Sequence, residues 1–175
     1  MLLKPQDTLL ALKYWSQRQL SQSGSVRDIA ELIGISASEV SKGTKRLILA
    51  HLAVERDGAI FAESGALFEW LSYGVRYAYP LETVGYGRGM ATAWNCPIVK
   101  SEMVPPSPAW VWSIAGGDSD GILIKPIHDS VPKAAGNDGK LYQALSLVEV
   151  IRGGKPRELK IARKLLSELI QGRNE

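Results

Sequence analysis

Along the first half of the chain, apolar positions recur with helical period and are interrupted at chemically marked points. Leu9, Leu10, Leu12 and Trp15 fall on one face of a segment that Pro5 opens and Gly24 closes, which predicts a helix from Pro5 to about Gln22. Ser25 is placed to cap a second, short helix in which Val26, Ile29, Ala30 and Ile33 form the apolar stripe and Arg27, Asp28 and Glu31 the polar one. Gly34 supplies a residue free to take positive φ, and Ser36 with Glu39 has the spacing of a capping box, so a third helix starts at a defined point. Its inward residues are expected to be Val40, Thr44, Leu47 and Ile48. Asp57-Gly58 then sits between two β-prone runs, a hairpin signal, and Ser64 to Pro80 carries Leu67, Phe68, Leu71 and Val75 at helical spacing.

Beyond Pro80 the texture changes. Residues 80–108 are rich in Gly and Pro without a clean period and are expected to be a linker or an extended segment. "AWVWSI" and "GILIKPI" flank the polar run "AGGDSDG", which predicts a second hairpin. Asn137 or Asp138 caps a helix over "GKLYQALSLVEVIR", and Pro156 opens a last helix that runs to about Gln171. The expected fold is therefore α+β, with an N-terminal unit over 1–79 and a small C-terminal unit over 109–175 made of a β-hairpin and two helices.

The stretch from Arg27 to Arg46 resembles the helix-turn-helix of bacterial winged-helix regulators, MarR-like in the broad sense, and the resemblance extends over residues 5 to 79. Gly43 departs from the pattern, which favours a branched apolar residue there. The resemblance implies that the third helix enters the major groove of double-stranded DNA, with Ser36, Ser38, Ser41 and Lys42 facing base edges and Lys45 and Arg46 facing phosphates. It also implies a backbone or minor-groove contact for Arg56 on the wing, although Glu55 and Asp57 weaken the local potential, and a phosphate contact for Arg27 assisted by its helix N-terminus. The competing reading is that Lys42, Lys45 and Arg46 are a solvated helix face, or that the unit serves protein contact.

Composition bounds these readings. At 175 residues, 45% hydrophobic and 22% charged, the chain can bury a core without staples, and a net charge of +3 permits nucleic-acid binding without arguing for it. Cys96 is the lone cysteine and, beside Pro97 with no cation near it in sequence, resembles a buried thiol more than an activated one; cysteine usage and the absence of a signal-like or membrane-spanning run point to the cytoplasm and to no membrane partner. His51 and His128 are too far apart for a metal motif, "GGDSDG" is a polar turn, and no cofactor or catalysis is expected. "GYGRG", Gly85 to Gly89, lacks the Walker ending and favours a turn or a close backbone approach over a phosphate loop, leaving Arg88 to pair with a carboxylate or a DNA phosphate. The tryptophans are expected to fill the core before they line an effector cavity.

The last helix places Leu159, Ala162, Leu165, Leu166, Leu169 and Ile170 on one side, a stripe that its own domain or a second subunit must cover. The expectation is a homodimeric transcriptional regulator, with repression the favoured mode, whose C-terminal region supplies dimerisation, sensing or partner binding. "YGVRYAYP", "HDSVPKAA" and "KLYQALSLVEVIR" also resemble winged-helix proteins encoded beside nucleotidyltransferase-like partners in toxin–antitoxin-type operons, which implies an antitoxin-like protein that autoregulates its operon.

Overall fold

The computed structural model describes residues 2–19, 24–99 and 103–172. Helix α1 (Pro5–Gln19) begins where Pro5 predicts, and residues 20–22 of the expected helix lie outside the described part. It is buried on nearly all sides, packed between α3 (Ala37–Leu49) and α7 (Gly139–Gly153). Besides Leu9, Leu12 and Trp15 it therefore buries Asp7, Lys13 and Ser16, and each of these polar groups has a partner, as burial demands. Asp7 holds Arg46; Lys13 Nζ lies 2.9 Å from an Asp138 carboxylate oxygen that also accepts the Ser16 hydroxyl at 2.7 Å.

Helix α2 (Val26–Ile33) ends at Gly34, whose φ of 70° is left-handed, and α3 follows after Ser36. Strands β1 (Ala53–Arg56) and β2 (Ala59–Ala62) pair antiparallel around Asp57 and Gly58, both at positive φ (50° and 75°), as a two-residue hairpin loop requires. The predicted fourth helix forms as α4 (Ser64–Glu69), a π turn over Trp70–Gly74, and α5 (Val75–Ala78). The Trp70 ring covers Gly74 so closely that any side chain there would strike it, and its indole N–H donates to Thr8 Oγ1 at 3.0 Å.

The middle of the chain differs from expectation. Part of the predicted linker is strand β3 (Thr83–Ala91), and "GYGRG" lies inside it. β3 runs antiparallel to both β4 (Ala109–Ser113) and β5 (Ser119–Ile124), so β4 and β5 are parallel and do not form the expected hairpin; the three strands close into a small barrel. Closure with so few strands leaves almost no interior, and glycine occupies the inward positions. A Cβ on Gly89 would run into the Trp112 carbonyl, one on Gly121 into the Ala109 carbonyl, and one on Gly87 would sit 3.0 Å from Leu123 Cδ1. Outside the barrel, Trp112 and Ile124 turn to the core while Val84, Tyr86 and Arg88 stay exposed.

Three helices follow, not two. The short α6 (Val131–Gly136) precedes α7, and α8 (Pro156–Gln171) packs on α4 and α7. Leu159, Ala162, Leu166 and Ile170 of α8 are thereby buried within the same chain, which answers the question of what covers its stripe. Arg152 near the end of α7 gathers the carbonyls of Tyr79 (2.8 Å), Pro80 (3.1 Å) and Lys125 (3.2 Å) and pairs with Glu149 at 2.6 Å. Burial pushes the Glu149 carboxyl above its ordinary range, against the pull of Arg152 and of the Trp112 indole N–H. The buried side chains of front and back form one continuous core. Among the described residues no helix is long and apolar enough to cross a membrane.

Candidate nucleic-acid interface

Helix α3 is set from both sides of its start. The Ser36 hydroxyl accepts the Glu39 N–H at 3.2 Å, but the reciprocal half of the expected capping box is missing because the Glu39 carboxylate is drawn to α1. Gln6 donates to it at 3.1 Å, and Lys4 and Lys42 lie 3.7 Å from it; chiefly through Lys4, its pKa is held below the ordinary carboxylate value. The complete box belongs to α2, where Ser25 and Asp28 satisfy each other.

Val40 and Leu47 are buried as predicted, and Thr44 is half-buried, bonded to the Tyr14 hydroxyl at 2.7 Å. Arg46 corrects the sequence reading. It points inward at 8% exposure, and its Nε and Nη2 grip the two Asp7 oxygens at 2.7 and 2.8 Å, so it anchors α3 to α1 and is not presented to phosphate. The hydrogen bonds to Asp7 raise its pKa further. Gly43 explains itself here, since a Cβ at that position would stand 2.8 Å from Asp7 Oδ1 and 2.9 Å from Leu10 Cδ2. Gly43→Ala gains about 1 kcal/mol in helix propensity but displaces a carboxylate that Arg46 holds rigid. We expect a net destabilisation of about 1–3 kcal/mol, measured by urea unfolding; a stabilised variant would mean that α1 and α3 are not in close contact.

With Arg46 withdrawn, Ser38, Ser41, Lys42 and Lys45 remain exposed along the outer side of α3, and Leu49 extends that face. Lys45 has no hydrogen-bond or ion-pair partner among the described residues, whereas Lys42 is balanced by Glu39. Ser36 is exposed but its hydroxyl is committed to the cap. Arg27 is exposed on α2, yet the helix end expected to assist it is closed by the Ser25–Asp28 box, and hydrogen bonds from Ser25 keep the Asp28 carboxyl below its ordinary pKa and so ionised. Arg56 on the hairpin is tied to Glu63 at 2.9 Å, with Glu55 and Asp57 exposed beside it, so its positive charge is offset by three carboxylates.

Two residues that sequence reasoning missed stand at the turn before α3. Ser130 donates its hydroxyl to the Gly34 carbonyl at 2.9 Å, and Lys133, exposed on α6, lies against the same glycine. No local signal marks them, because they come to the turn from about a hundred residues away through packing of α6 on α2. Arg88 is partnered by the Gly117 carbonyl at 2.8 Å and by Asp120 at 3.7 Å. The hollow beside Trp94 and Trp110 has a volume of about 190 Å³, below the range of small-molecule sites. No protein-family model matches the chain, and neither the curated proteins nor the solved structures offer a match.

Proposed function

We propose that this chain is a winged-helix protein that binds double-stranded DNA with the outer face of α3 and regulates transcription by occupying an operator, not by catalysis. The observation that carries the reading is the exposure of Ser38, Ser41, Lys42 and Lys45 together on a helix that starts at a capped, glycine-turned corner and is followed by a hairpin. The major groove is wide enough for such a helix, and hydroxyl and ammonium groups match its acceptors and the flanking phosphates. Support for Arg46 as a contact is withdrawn and that for Arg56 weakened; Lys133 joins the candidates at the turn. A homodimer would suit a palindromic operator, but α8 lends it no support now that its apolar stripe is covered internally.

Selection of genomic duplex fragments by the purified protein tests this directly. Retained fragments should bind with an affinity that falls steeply with salt, and Lys45→Ala should reduce the slope of log K against log salt by about 0.9, the value of one phosphate contact. Fragments retained equally by Lys45→Ala and Lys42→Ala, at an unchanged slope, would place the contact elsewhere. Sedimentation of the complex gives the stoichiometry, and two chains per site are expected.

A further inference from the structure

The cations of α8 lie far from this interface. α3 packs on α1, α1 on α7, and α7 on α8, so two helices separate the two surfaces. Lys155, Arg157, Lys160 and Lys164 are exposed on α8, while Glu158 is spent closing the helix start by accepting the Lys155 N–H at 2.7 Å. The segment α4–α5 runs antiparallel alongside. Ser64 shares a surface hollow with Glu168 and Gln171, the Ser72 carbonyl accepts Arg163 Nε at 3.1 Å, and Arg76 reaches the Gly154 carbonyl at 3.2 Å.

Two tyrosines are left on the outside of that segment, one helical turn apart. Tyr73 is 56% exposed and Tyr77 is 77% exposed. The Arg163 guanidinium sits 4.7 Å from the Tyr73 ring centre, and Phe68 meets the same ring edge-on at 6.5 Å, so Tyr73 is fixed in place with much of its surface open. A single exposed ring is ordinary on a protein surface, but these two share one face of the segment that packs on α8, and Tyr73 meets an α8 cation directly.

We propose that the strip formed by Tyr73 and Tyr77 with Arg157 and Lys160 binds single-stranded nucleic acid. The cations follow the phosphates and the tyrosines stack on unpaired bases, which a duplex does not offer. A bilayer is the poorer fit, because the apolar side of α8 is buried against α4 and α7 and has nothing to insert. A second copy of the strip is repelled by its own charge. Glu69 stands a turn before Tyr73 and Glu168 near the end of α8, while Glu158 is engaged at the helix start, which places the site on the N-terminal half of α8, beside Tyr77.

Fluorescence anisotropy of a labelled oligothymidylate of about 20 nucleotides tests the strip on the full chain. The parent protein should bind with strong salt dependence. Lys160→Glu should weaken binding about tenfold or more, and Tyr77→Ala about fivefold or more, the lower end of what one stacked base contributes. Tyr77→Phe keeps the ring and should keep the affinity, and Lys45→Ala should change nothing, so loss of the duplex reading leaves this one standing. The proposal is overturned by a parent protein that does not bind the strand, by Tyr77→Ala binding as tightly as the parent, by equal loss in Lys45→Ala, or by preference for phosphatidylserine vesicles in co-sedimentation.

Discussion

Asp138→Ala should destabilise the protein by about 3–5 kcal/mol and lower its Tm by about 10 °C or more. One carboxylate serves three groups. An oxygen takes Lys13 Nζ at 2.9 Å and the Ser16 hydroxyl at 2.7 Å, and the other accepts the Leu141 N–H at 3.0 Å, which caps α7. The lysine and aspartate side chains are 5% and 3% exposed, so deleting the acid strands an ammonium between α1 and α7 with no counter-charge. That penalty exceeds the cap, which is worth about 1 kcal/mol. The double variant Lys13→Met, Asp138→Asn keeps the cap and removes the stranded charge, and it should recover more than half of the loss. Urea unfolding of the parent and both variants is the measurement; a single variant within about 1 kcal/mol of the parent would mean that Lys13 reaches water.

The same group sets a pH dependence. Burial alone would raise the Asp138 pKa, but the Leu141 N–H, Lys13 and Ser16 together outweigh it and hold the carboxyl below its ordinary value of 3.8. The folded protein then binds this proton more weakly than the unfolded chain does. The contribution is complete above the unfolded value and is lost as pH falls from there through the folded pKa. Asp138→Asn should therefore show a shallower acid limb below about pH 4.

Which features were legible in the sequence follows from how local their causes are. The cap at Ser36, the left-handed Gly34, the Asp57-Gly58 loop and the start at Pro5 are each decided within a few residues, and the structure has all of them. The exposed face of α3 was legible for the same reason, apart from Arg46. Helical spacing put Arg46 outside, and only Asp7, 39 residues away, turns it in. The absent side chain at Gly43 was the trace of that contact, since glycine in mid-helix signals that something else lies close. The ties through Ser130 and Asp138 span about a hundred residues and leave no local trace at all.

Gly89→Ala is expected to be the other severe substitution, costing about 3 kcal/mol or more, because the new methyl meets the Trp112 backbone carbonyl and no side-chain rotamer can relieve it. Gly85, Gly87 and Gly89 alternate along β3 and share one face, with Gly121 across from Gly87, yet glycine has no β propensity, so the run reads as a linker or turn until its partner strands are in place. The direction of β4 and β5 is equally hidden, because two β-prone runs separated by a polar turn look the same whether they pair with each other or through a third strand. Gly121→Ala meets the Ala109 carbonyl and should be as harmful, while Gly65→Ala on α4, with open space around it, should be neutral or stabilising by up to about 1 kcal/mol. Thermal unfolding of the three variants separates the alternatives. If Gly89→Ala and Gly121→Ala melt with the parent, the strands are not this close, and the antiparallel pairing of β4 with β5 expected from the sequence would replace the closed three-stranded arrangement.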